Sequence, residues 1–128
     1  MWFKDFKNRR LSEGELLYST GSKLSKIYVL TEGKVGLFLS KTRSDIYLSL
    51  MISPGDFFGQ SPLNNRHYHT SAYVLESGNA LVIDKDQFDG LLKISSDFKL
   101  KYYSQMARQI LTCEKELADK TLLSPHIY

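Results

Sequence analysis

Residues Pro54 to Val74, PGDFFGQSPLNNRHYHTSAYV, combine the features that a phosphate-facing loop needs. A strand-like run ends in a Pro-Gly turn, two aromatics and Gly59 follow, and a polar loop re-enters a strand at Ala72. Glycine lets a backbone approach a ligand closely, and the N–H groups of a short helical start attract anions. A nucleotide or other small anion entering at Gly59, Gln60 and Ser61 is the chemistry this layout suits. The same stretch carries a second set of reactive types. His67-x-His69, followed by Glu76, is a trio of metal ligands by residue type, as a metal-dependent barrel enzyme would use, and either histidine has the type of a haem ligand. Against that stands the simpler reading of two solvated loop histidines, with His126, the one other histidine, in the C-terminal tail.

Other chemistry is thinly represented. No Gly-x-Ser-x-Gly elbow, Walker loop or Cys-His pairing occurs, and the Asp and Glu residues sit at turns and helix ends, where capping and solvation explain them. The expectation is a protein that is not an enzyme. Cys113 is the single cysteine, which excludes an internal disulfide and any four-cysteine site and reads as a small apolar residue on a helix.

The elements that must position the loop follow from pattern. With 128 residues, 42% hydrophobic and 12% aromatic, the chain suits one folded domain with a genuine core. No apolar run is long enough to span a bilayer and no signal-peptide pattern opens the chain, so a cytoplasmic location is expected. The net charge of +3 gathers partly in Lys4, Lys7, Arg9 and Arg10, read as a solvated basic arm over residues 1–10. No helix-turn-helix, RNA-binding signature or zinc-finger spacing accompanies it, and no direct DNA binding by this chain is expected.

Short β-branched and aromatic runs at Glu15 to Tyr18, Lys26 to Leu30, Val35 to Leu39, Ile46 to Ile52, Ala72 to Leu75 and Ala80 to Ile83 predict strands. Ser12-Glu13-Gly14, Thr20-Gly21-Ser22, Glu32-Gly33-Lys34, Pro54-Gly55-Asp56 and Ser77-Gly78-Asn79 predict the turns between them. Asp84 with Gln87 fits a capping box opening a short helix with Phe88, Leu91 and Leu92. Ser95 or Ser96, with Asp97, opens a longer helix that Pro125 ends. On it Tyr103, Met106, Ile110, Cys113 and Leu117 form one stripe at 3-4-3-4 spacing, either core contact or the seam of a two-helix homodimer; Phe98, Tyr102 and Leu111 lie off it. The fold class predicted is mainly β (α+β), an antiparallel β-roll or jelly roll with a short helix and a long C-terminal helix. A β-body over residues 11–83, holding the loop segment 54–74, precedes a helical subdomain over 84–124.

Several motifs together resemble the Crp/Fnr type of cyclic-nucleotide-binding domain over roughly residues 10 to 120. Gly14, Gly21 and Gly33 fall where that family has hairpin turns, LTEGKVGLF is similar to its Leu-x-x-Gly-x-Val-x-x-Phe hairpin, and PGDFFG to its Pro-Gly-x-x-Phe-Gly entry to the phosphate-binding cassette. The resemblance implies a non-catalytic sensor for signal transduction or transcription regulation. It also implies a site at Gly59, Gln60, Ser61 and Thr70 for weakly held cyclic AMP or cyclic GMP, and a homodimer through the long helix. Two departures are specific. The family's cassette opens with Gly-Glu and closes with Arg; here Gln60 stands at the acid and Thr70 at the base. Gln60 still accepts from a hydroxyl, whereas Thr70 supplies one neutral donor, so ligand binding is expected to be weakened or altered. Arg66 is a candidate replacement, against its reading as a solvated loop-tip residue, and Pro62 removes one N–H from the cassette. No DNA-binding segment follows the long helix, so the chain reads as a stand-alone sensor, a ligand-free interaction module of the same fold, or one piece of a larger regulator with an attached or separate output domain.

Overall fold

The structure is a computed structural model that describes residues 6–40, 46–60 and 66–108. The chain divides into two compact units, Met1–Leu91 and Leu92–Tyr128. The first is one antiparallel sheet built from β1 (Lys7–Leu11), β2 (Leu16–Tyr18), β3 (Lys26–Ser40), β4 (Ile46–Ile52), β5 (Phe57–Phe58) and β6 (Ser71–Asp84). Its main path runs β1-β6-β3-β4, while β2 also pairs with β6 and β5 with β3. This is the β-roll with following helices that the strand pattern predicts.

Two predicted turns are not turns. Glu32-Gly33-Lys34 lies inside the continuous 15-residue β3, and Ser77-Gly78-Asn79 inside the 14-residue β6. The two glycines meet where β3 and β6 bend across each other. Register slips there, from Leu30↔Ala80 through Glu32↔Asn79 and Lys34↔Glu76 to Val35↔Val74. Gly33 has φ +97°, open to glycine and costly for other residues. A Cβ on Gly78 would lie 1.9 Å from the Glu32 carbonyl oxygen, inside any contact distance. Glycine is therefore required here for a bulge that curls the sheet, a use the sequence shares with turns. Side chains tie the bend: Asn79 donates to Glu32 at 3.1 Å, Thr31 to the Asn79 carbonyl at 3.0 Å, and the Glu13 N–H to the Ser77 hydroxyl at 2.9 Å.

Residues 7–10, assigned on sequence to the basic arm, belong to strand β1. KNRRL shows no apolar alternation, and pairing from Lys7↔Val82 to Leu11↔Gly78 holds it on β6. The curled sheet encloses Leu11, Tyr18, Tyr28, Leu30, Val35, Ile52, Phe58 and Val74. The alternate residues of β3, Ile27 and Val29, are buried on its other face with Phe57 and Ile83, so this half of the strand is apolar throughout. Phe57 meets Phe88 of α1 (Lys85–Ile94) edge-on at 6.5 Å. The Gln87 side chain accepts the Asp84 N–H at 3.2 Å, half of the predicted capping box.

In the second unit a helix, α2, covers 96–108 of the described residues. Ser95 caps it, its hydroxyl accepting the Phe98 N–H at 3.2 Å and its carbonyl the Lys99 N–H at 3.0 Å. Phe98, Tyr102 and Gln105 share its buried face, while Leu100 and Tyr103 are exposed.

The glycine crossing gives a first prediction. Gly78→Ala forces backbone apart and should cost about 3 kcal/mol, the upper part of the overpacking range. Gly14→Ala meets nothing within 4 Å and bears only the strain of φ +86°, about 1–2 kcal/mol. Urea unfolding of the two variants beside the parent checks the order; equal losses would mean that the crossing is not the constraint.

Candidate functional site

The loop begins where β4 leaves the sheet. Pro54 and Gly55 turn the chain, with the Gly55 N–H donating to the Leu30 carbonyl at 2.7 Å and the Leu30 N–H to the Asp56 carbonyl at 3.0 Å. Asp56 closes the turn on itself, its carboxylate accepting the Ser53 N–H at 3.1 Å. Phe57 and Phe58 then pair with Val29 and Tyr28. Gly59 is buried at φ +100°, and a Cβ there would stand 3.2 Å from the Lys26 carbonyl oxygen. Only glycine turns the chain off β3 this close to its backbone. Gln60 follows, half-buried, with its amide oxygen enclosed. Ser61 lies outside the described residues.

The returning arm is held by backbone. The Leu24 N–H donates to the Arg66 carbonyl at 2.8 Å, the Tyr68 N–H to the Ser22 carbonyl at 2.9 Å, and the Gly21 N–H to the Tyr68 carbonyl at 2.9 Å. Alternation along this arm puts Tyr68 inward and His67 and His69 outward, both exposed. The His-x-His spacing is thus the outer face of an extended segment. Among the described residues no group of three His, Cys, Asp or Glu side chains is placed to hold a metal ion. Arg66 is exposed at the start of the arm, and Thr70 is half-buried at its end.

Tyr68 fixes the depth of the arm. Its phenol donates to the Lys26 carbonyl at 2.8 Å and accepts the Lys26 N–H at 3.2 Å, so one hydroxyl satisfies both backbone groups of a residue beside Gly59. Its ring stacks on Tyr18 with centroids 3.9 Å apart and 13° between planes. Tyr28 and Phe58 continue the stack, 5.0 Å apart, with Tyr18 6.2 Å from Tyr28 and 6.5 Å from Phe58. Tyr18 is 7% exposed. Its hydroxyl faces the Thr70 side chain and the Gly59 backbone, the two ends of the loop. Burial pushes the Tyr18 phenol far above its ordinary value, against a smaller opposing pull from Thr70 and Gly59. Tyr28 is raised by the same cause.

The site residues expected from sequence therefore divide. Gly59, Gln60 and Thr70 belong to one loop whose ends meet at Tyr18; Arg66 is at its exposed margin. Tyr18 and Tyr68 were missed, because a tyrosine in a short strand and one in a polar loop read as ordinary core. Of the helical stripe, Tyr103 is exposed and Met106 half-buried, while Ile110, Cys113 and Leu117 lie outside the described residues. No helix among the described residues is long and apolar enough to cross a membrane.

Comparison with known proteins gives a family match. The model described as cyclic nucleotide-binding domain matches residues 8–95. A Drosophila melanogaster cGMP-dependent protein kinase, isozyme 2 forms cD5/T2, is 25% identical over 114 residues, covering 85% of this chain and 12% of the kinase. The chain thus spans about an eighth of that relative. The Thermus thermophilus Catabolite Activator Protein superimposes with a TM-score of 0.75 at 22% identity, over 96% of this chain and 57% of that one. The cAMP-bound PfPKA-R superimposes with a TM-score of 0.63 at 20% identity, over 70% of this chain and 32% of that one. These superpositions show the shared fold.

Two outcomes follow from the aromatic stack. Tyr68→Phe leaves the Lys26 N–H and carbonyl without this partner and should cost about 1–3 kcal/mol in urea unfolding; an unchanged midpoint would remove Tyr68 as the anchor of the arm. Tyr18 and Tyr28 hold folded-state values above the ordinary 10.0. Their contribution is complete below about pH 10 and is lost as pH rises toward the folded values, because the unfolded chain ionises first. Unfolding free energy should fall as pH rises above about 10, and less steeply in Tyr18→Phe.

Proposed function

The chain belongs to the cyclic nucleotide-binding domain family, and from that premise we propose that it is a non-catalytic regulatory domain that takes a cyclic nucleotide weakly at the loop of residues 59–70. The observation that carries this reading is a loop whose two described ends are firmly held and whose closing residue carries no charge. Gly59 is buried at a positive φ, the entry and return arms are pinned to β3 and to the β2–β3 connection, and residue 70 is a neutral threonine. Gln60 and Ser61 stand at the start of the loop as further contacts, and Arg66 at its margin as a cation able to approach a phosphate.

The magnitude of the weakening follows from the missing charge. Losing a buried charged partner costs about 2–5 kcal/mol, or about 30-fold to several thousand-fold in affinity. Calorimetry with cyclic AMP and cyclic GMP should give dissociation constants in the range of about 10 μM to 1 mM. Thr70→Arg should tighten binding by about 30-fold or more. No heat up to millimolar ligand, for the parent and for Thr70→Arg, removes the ligand-binding role.

Signal output on this reading passes through the long helix. Tyr103, Met106, Ile110, Cys113 and Leu117 would form the homodimer seam, and the exposed Tyr103 ring favours it. A Met106→Glu, Ile110→Glu double variant is expected to be monomeric; the parent's mass in light scattering, retained by the variant, would exclude this seam.

A further inference from the structure

We infer that the Tyr18 hydroxyl is a ligand-reading donor of this loop, acting with the Thr70 hydroxyl to hold the singly charged phosphodiester of a cyclic nucleotide where a guanidinium would otherwise stand. The inference rests on the binding role proposed above and names the group that does the reading.

Three observations carry it. First, Tyr18 is 93% buried and its stacking partner Tyr68 both donates to and accepts from the Lys26 backbone, yet among the described residues the Tyr18 hydroxyl has no hydrogen-bond partner. Thr70 and the Gly59 backbone are its polar neighbours. A buried hydroxyl left unmatched is costly, and phenylalanine would fill the same stack without it. An acceptor supplied by a ligand removes the mismatch. Second, the phenol is held in place before any ligand arrives. Its ring lies 3.9 Å from that of Tyr68, which is anchored twice to Lys26, and Phe58 immediately precedes Gly59. A donor fixed by packing loses little freedom on binding. Third, Tyr18 pairs with Ala72, two residues past Thr70, and its hydroxyl has both Thr70 and the Gly59 backbone, the two ends of the loop, as neighbours.

The chemistry of the donors selects the ligand. Burial keeps the phenol protonated, so it donates at neutral pH. Thr70 is neutral, and Arg66, the one cation in the sequence of residues 59–70, is exposed. Two neutral O–H donors beside the Gly59 backbone suit one delocalised negative charge. A phosphate monoester, with a charge near two, would need a buried cation to offset its desolvation. The site should therefore prefer a cyclic nucleotide to the matching nucleoside 5′-monophosphate.

Calorimetry on the whole chain tests this with cyclic AMP, cyclic GMP, AMP and GMP, using the parent, Tyr18→Phe and Thr70→Arg, beside urea unfolding of each. Tyr18→Phe should weaken cyclic nucleotide binding by about 10-fold or more, with a urea midpoint unchanged or raised because an unmatched hydroxyl is gone. The parent should bind AMP and GMP more weakly than the cyclic forms. Equal affinity of parent and Tyr18→Phe overturns the inference and leaves the binding role standing. A lowered urea midpoint in Tyr18→Phe makes the hydroxyl structural and overturns it too, as does equal binding of the 5′-monophosphates. Absence of binding by both the parent and Thr70→Arg overturns the inference together with the reading beneath it.

Discussion

Gly33 and Gly78 pass so closely that a single added carbon on Gly78 would overlap the Glu32 carbonyl, and the rest of the first unit hangs on that approach. Between the pairs Leu30–Ala80 and Val35–Val74, β6 uses one residue more than β3. The mismatch bends both strands together, and a bent sheet can enclose its own apolar face. Without it, Leu30 and Ala80 on one side of the crossing and Val35 and Val74 on the other would lie along a flatter sheet with one face open to water. Each large side chain enclosed this way is worth about 1.5–3 kcal/mol, far more than the hydrogen bonds that tie the bend. The crossing is thus a steric permission, and apolar burial is what uses it.

The same bend decides where the loop of residues 59–70 can be. β5 pairs with the half of β3 that precedes Gly33, and the return into β6 begins opposite the half that follows it. Entry and exit of the loop are therefore anchored on different sides of the crossing. Tyr68 closes the gap by seizing the Lys26 peptide, and Tyr18 reaches from β2 to stack on it. The resulting aromatic column sets the spacing between Gly59 and Thr70 through rigid rings, which have few torsions to lose. Glu15 adds a local lock at the base of β2. Arg9 and the Ser12 N–H hold its carboxylate below the ordinary value and fasten β1 to the start of β2.

Much of this was legible in the residues, for physical reasons that differ by element. The PGDFF entry could be read because Pro54, Gly55 and Asp56 act within a few residues of one another, and local chemistry is written locally. The same holds for Ser95 and Gln87 at the helix starts. Gly33 and Gly78 were visible as glycines and misread as turns, since a positive φ serves a hairpin and a bulge alike and only the partner strand tells them apart. β1 was hidden because KNRRL carries no face pattern; its place comes from backbone pairing with a strand some seventy residues away. Tyr18 was hidden for a related reason. Its position beside Thr70 depends on the Tyr18↔Ala72 register and the bulge next to it, and a register spanning more than fifty residues leaves no local trace.

On the proposed reading, hydroxyls in place of a cation alter more than affinity. A guanidinium attracts a phosphate across many ångströms and holds it through a wide range of orientations, whereas a neutral donor acts only near contact and along its O–H direction. A loop that relies on Tyr18 and Thr70 must therefore obtain its selectivity from fixed geometry, and its described ends supply a stacked phenol, a doubly bonded Tyr68, and a glycine turned against the Lys26 carbonyl. On the proposed reading a ligand must still open the cover over the Tyr18 oxygen, which is enclosed in this structure. A ligand shifts a conformational equilibrium only by the difference in its contacts between the two states, so the opening of that cover would be part of any signal.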